Sequence, residues 1–94
     1  MNVNAEFSKY FKGFKTSESI LVEIKYLKKI NTLINKLLKT KKDHYKSEIL
    51  NYFKIVENNF EVTARFVEMI KENYLDKKNL KPFDKLYREY HEQI

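Results

Sequence analysis

The chain contains no cysteine and no tryptophan, one glycine, one proline and two arginines. Without cysteine, neither a disulfide framework nor a thiolate metal site can form. One glycine and one proline leave few signals for tight turns, and a sheet protein of this length needs more of both. Long apolar runs are also missing. The longest uninterrupted aliphatic stretch, Ile20-Leu21-Val22, falls far short of a membrane span or the core of a secretory signal. The expectation is a chain with no membrane span and, by default, a cytoplasmic residence. The shortage of arginine bears on recognition, because bidentate contacts to phosphates and base edges favour the guanidinium fork.

What is present suits a helical protein. Apolar residues make up 43% of the 94 positions, with seven Phe and seven Tyr, which argues against disorder. A chain of this size buries roughly 60–70% of the surface its unfolded form exposes, so one modest core is expected, in a single domain over residues 1–94. Lysine outnumbers arginine 17 to 2 and asparagine occurs nine times. An AT-rich coding sequence produces that bias whatever the function, so the net charge of +6 says less than its distribution. Residues 1–47 hold eleven lysines against four acids, net +7, whereas residues 48–94 hold eight Lys/Arg against nine acids, net −1.

Apolar spacing at about 100° per residue predicts the elements. Val3, Phe7, Tyr10, Phe11 and Phe14 share one narrow stripe, which predicts a short first helix ending at Gly13, a residue suited to a C-terminal cap. Thr16-Ser17-Glu18 marks the next start with a capping hydroxyl and an acid in the first turn. The segment over about residues 17–39 carries Ile20, Val22, Ile24, Tyr26, Leu27, Ile30, Leu33, Ile34, Leu37 and Leu38 over an arc of about 200°. So wide an arc predicts the central element, touching neighbours on two sides. The third segment keeps its helical rhythm from Tyr45 to Tyr74, and one continuous or kinked helix over 43–76 is expected ahead of two separate ones, with Asn58-Asn59 the one plausible break. A final helix is expected from Pro82, burying Phe83, Leu86, Tyr87, Tyr90 and Ile94, with Leu80 tucked in before it. The predicted fold is an all-α bundle built on a long antiparallel helical hairpin with a short helix at each end.

Two constellations carry functional expectations. The stretch 36–46, KLLKTKKDHYK, together with the preceding helix, presents Lys25, Lys28, Lys29, Lys36, Lys39, Lys41, Lys42 and Lys46 as a stripe that runs into a turn. No acid occurs between Glu23 and Asp43. Such a stripe can track phosphates, each neutralised phosphate releasing counterions. It is equally a solvated elbow, with lysines complementing a helix C-terminus. No arginine or aromatic stacker is interleaved with it, which favours the elbow. In the second constellation, Val62, Phe66 and Met69 form an apolar line beside Phe60, Val67 and Ile70, and a self-association surface, a homodimer, is expected there.

Chemistry is sparse. Asp84–Arg88 and Glu61–Arg65 have the spacing of surface ion pairs, and His91 is expected on the exposed side of the last helix beside Asp84 and Arg88. Arg88-x-x-His91 lacks the wider spacing used by helical RNases of the HEPN class. His44 stands in the turn with Asp43 and Glu48, short of the three or four converging ligands a metal needs. Four serines and four threonines lie beside no general base. No catalytic residue, metal or cofactor is therefore expected. The leading expectation is a non-catalytic helical protein that binds a macromolecular partner, as an inhibitor, adaptor or immunity-type factor. The alternative is a nucleic-acid-binding protein that uses the lysine stripe.

Overall fold

The computed structural model describes residues 3–13 and 17–93, with side chains for 6–13 and 24–93. The expectations placed on Val3, Phe14, Thr16, Ser17, Glu18, Ile20, Val22 and Ile94 as side chains lie outside the described residues. The chain is all-α: α1 (Val3–Ser8), α2 (Ser17–Thr40), α3 (Asp43–Asn59), α4 (Ala64–Tyr74) and α5 (Leu80–Glu92), with a 3-10 turn at Lys77–Asn79 before α5. Among the described residues no strand occurs, and the one β-like feature is an isolated antiparallel bridge between Phe11 and Phe60. Among the described residues no helix is long and apolar enough to cross a membrane.

The wide apolar arc makes α2 the centre, as its pattern requires. It packs on α1, α3, α4 and the 3-10 turn. Ile24, Leu27, Ile30, Leu33 and Ile34 are buried along it, while Leu38, at the edge of the arc, stays 45% exposed. α3 runs back antiparallel: Tyr26 meets Tyr52 and Lys36 meets Tyr45, so rising numbers on one helix face falling numbers on the other. Only Lys41 and Lys42 connect them. Thr40 Oγ1 donates to the Lys36 carbonyl at 2.8 Å and accepts from Lys42 N–H at 3.3 Å, which tightens the turn. Lys41 sits at φ 58°, the left-handed conformation that ends many helices and that glycine normally fills.

Two expected boundaries differ, and one contact explains both. The first helix does not reach Gly13, and the third segment is not one helix over 43–76. Around the Phe11–Phe60 bridge, Lys12 N–H donates to the Asn59 carbonyl at 2.9 Å and Glu61 N–H to the Tyr10 carbonyl at 2.6 Å. Continuing either helix would remove those bonds. Each is worth about 1 kcal/mol net, no less than the helical bond it replaces, and fully burying a large side chain such as Phe60 adds about 1.5–3 kcal/mol. Phe60 is 0% exposed and packs on Phe11 with tilted rings, 4.4 Å between centroids. The break follows Asn59, whose side chain turns back to the Ile55 carbonyl at 2.8 Å. Thr63 then caps α4, its Oγ1 accepting from Phe66 N–H at 3.1 Å. Gly13 still occupies a left-handed conformation at φ 75°, beyond the bridge and not as a helix cap.

The last helix starts at Leu80, two residues before Pro82, which falls in the first turn where a missing N–H removes no intrahelical bond. Its start is tied to α2 by a polar knot. Asn79, 0% exposed, donates from Nδ2 to Asn31 Oδ1 at 2.8 Å and Asn35 Oδ1 at 2.9 Å. Asn31 Oδ1 also accepts from Asp76 N–H at 2.9 Å. The core itself is aromatic: Phe7 meets Phe66 edge-on at 5.2 Å, and Phe53 meets Phe83 and Tyr87 edge-on at 5.4 and 5.2 Å.

Candidate functional site

α2 presents its polar face to solvent as lysine. On a helix of 3.6 residues per turn, positions 25, 28, 29, 36 and 39 fall within an arc of about 100°, and all five lysines there are exposed. Lys41 and Lys42, also exposed, carry the face round the turn. Lys25 to Lys39 spans about 21 Å at 1.5 Å per residue. None of these seven lysines pairs with a carboxylate among the described residues. Lys36 Nζ lies 5.9 Å from the centroid of the half-buried Tyr45 ring.

Lys46 stands apart from the other seven. Its Nζ lies 2.7 Å from Glu89 Oε2, an ion pair that ties α3 to α5. The hydrogen bond that Lys46 donates to Glu89 raises the Lys46 ammonium above its ordinary value, and the same bond holds the Glu89 carboxyl below its own. The acids nearest the sequence's expected pairs are also redistributed. Glu61 lies in the loop before α4, so Arg65 turns instead to Glu6 at 3.3 Å and Glu72 at 3.7 Å. Asp84 meets Lys71 at 2.6 Å across the α4–α5 contact, and not Arg88.

The expected self-association line is placed inside the chain. Phe66 and Met69 are both 0% exposed, with Phe66 enclosed by Phe7, Tyr10 and Phe60. Val62 is half-buried. The second apolar line therefore faces α1 and the Phe11–Phe60 bridge, elements whose position the spacing of 62–70 does not reveal.

A polar cleft was not legible in the sequence. It encloses about 550 Å³ between the end of α3, the 60–63 loop and α5. Glu57 lines it, accepting from Tyr87 O–H at 3.4 Å, and His91 Nε2 lies 3.4 Å from the same Glu57 Oε1 as an ion-pair partner. Burial, then the Glu57 charge, pushes the Tyr87 phenol well above the usual tyrosine range. Lys12 Nζ donates to the Glu57 main-chain carbonyl at 2.9 Å. Tyr87 and His91 are one turn apart on α5, the spacing that places both at the margin of its buried face. Glu57 and Lys12 come from distant segments, and no spacing rule links them. His44 is exposed and its ring lies tilted against that of Tyr45, 4.0 Å between centroids. Among the described residues no group of three His, Asp or Glu side chains is placed to hold a metal ion. Compared with known proteins, the chain matches no family model, no curated protein and no solved structure.

Proposed function

We propose that this protein is a non-catalytic binding module whose partner is a polyanionic macromolecule, with nucleic acid as the leading class. The contact surface is the face of α2 that bears Lys25, Lys28, Lys29, Lys36 and Lys39, continued by Lys41 and Lys42. One observation carries the reading: seven exposed lysines lie together and, among the described residues, none forms an ion pair with a carboxylate. Lys46, Arg65 and Lys71, by contrast, each sit against an acid. An uncompensated face of one sign repels itself and gains most when an anionic surface displaces its counterions.

Lysine without arginine implies phosphate contact without base readout, so binding is sequence-tolerant. If all seven lysines engage duplex phosphates, log K falls with log salt at a slope of about −6. Gel retardation of duplex and single-stranded probes across a salt series tests this. Charge reversal at Lys28, Lys36 and Lys41 to Glu is expected to abolish retardation while leaving the helical circular dichroism signal intact. A wild-type chain that retards no nucleic acid in low salt overturns the nucleic-acid reading.

A second reading, a protein partner that the chain inhibits or adapts, is favoured by the absence of arginine and of exposed aromatic rings from this face. An acidic protein surface satisfies lysines without requiring stacking. Capture from native lysate with and without nuclease separates the two: a nucleic-acid partner is lost on digestion and an acidic protein is retained.

A further inference from the structure

No ring is interleaved among the lysines of α2, but the turn that ends the lysine face delivers one beside it. His44 and Tyr45 lie in the first turn of α3, directly after Lys41, Lys42 and Asp43. Tyr45 is half-buried and packs against the core, and Lys36 Nζ lies 5.9 Å from its ring centroid, so this ring borders the lysine face. The His44 ring lies against it, 4.0 Å between centroids with 41° between planes, and is exposed. Consecutive positions on a helix ordinarily diverge by about 100°, so spacing alone does not bring these rings together. Leu38, in the last turn of α2 and 45% exposed, adds apolar surface at the same end. The turn is held in place. Thr40 Oγ1 donates to the Lys36 carbonyl and accepts from Lys42 N–H, and Lys41 N–H donates to the Leu37 carbonyl. Little freedom is then lost when a ligand docks there. An exposed ring and an exposed leucine contribute nothing to a phosphate. They suit a nucleobase, whose flat face stacks on aromatic side chains whatever its identity.

Building on the polyanion role of the lysine face, we propose that its ligand is single-stranded nucleic acid, with one unpaired base stacked on the His44 ring. Inside a duplex both faces of a base are covered by its neighbours, so the ring finds no partner. In a single strand the lysines of α2 hold the backbone while a base turns onto His44, which Tyr45 backs. Asp43, the first acid after Glu23, is exposed and ends the run of positive charge there. With no arginine on this face to read base edges, the stacked base is not selected by sequence.

Fluorescence anisotropy with labelled oligonucleotides of equal length tests this. The probes are an intact single strand, its duplex, and a strand of abasic sites that keeps every phosphate and no base. The intact strand is expected to bind about fivefold or more tighter than the other two, the worth of one stacked base. His44→Ala is expected to remove that margin while leaving duplex and abasic binding, the salt slope and the helical circular dichroism unchanged. His44→Phe, which keeps a ring without the imidazole, is expected to restore it. The strands are made as DNA and as RNA, and a margin confined to one of them identifies the source. Equal affinity for all three probes, or a loss on His44→Ala shared by all three, overturns the single-strand assignment and leaves phosphate tracking standing. Failure of the wild-type chain to bind any probe in low salt overturns both.

Discussion

Lys41 holds a backbone conformation that costs most residues of order 1–3 kcal/mol, at φ 58°, between two helices. The turn closes there with Lys41 N–H on the Leu37 carbonyl at 2.7 Å, so geometry fixes the backbone and the side chain is spent on charge. Asn79 makes the opposite choice, a wholly buried amide that gives both its protons to α2. The tyrosines show what burial does to a titrating group. Burial pushes the phenols of Tyr74, Tyr87 and Tyr90 above their ordinary value, with the Glu57 charge adding to the last two. In the unfolded chain these groups ionise near pH 10. Above that pH the folded state keeps protons that the unfolded state has shed, so stability is full below about pH 10 and falls as pH rises through the folded values. Spectrophotometric titration is expected to show phenolate absorbance from these three groups appearing late, with alkaline unfolding. Tyr87→Phe is expected to soften the fall of melting temperature with alkali. A variant whose alkaline profile matched the wild type would contradict this account.

At the scale of elements, the decisive feature is the interruption at 60–63. Asn58-Asn59 marks the position in the sequence, because asparagine side chains compete with the helix for backbone partners. That signal is local and weak, and the spacing from Tyr45 to Tyr74 hides it. The restart is built by Thr63, whose cap on Phe66 N–H orients α4 toward α2. Thr63→Ala is expected to cost about 1 kcal/mol, read as a lower urea midpoint with an unchanged slope. Faster amide exchange at Phe66 is expected to accompany it, and an unchanged midpoint would remove the cap from the explanation.

At the scale of the whole molecule, aromatic pairing in the core and charge segregation on the surface are consequences of the same layout. All five helices contribute to one buried cluster or to the partly buried side chains packed on it. α2 supplies both the centre of that cluster and the lysine face opposite. Met69 tests how the second apolar line of α4 is used. Since it is 0% exposed, Met69→Ala is expected to lower unfolding free energy by about 2–5 kcal/mol while leaving the mass measured by light scattering unchanged. A change of mass without loss of stability would instead place this residue at an interface between chains.

Helical class, the central role of the helix expected at about 17–39, an antiparallel hairpin with the segment that follows it and the solvent exposure of its lysines were legible in the sequence, but the division of 43–76 at residue 59 was not. They depend on periodicity within one segment, where neighbours three and four residues apart decide which face is buried. What the tertiary structure decided involves residues far apart in the chain. Phe11 and Phe60 end two helices by pairing across 49 positions, and that pairing in turn covers Phe66. Glu57 meets Tyr87 and His91 only once α5 packs on α3. Lys46 leaves the lysine stripe because Glu89 arrives beside it. A local pattern states which side of a helix is apolar, but the partner that covers that side, and the charge that meets its margin, come from whichever segment the folded chain brings there.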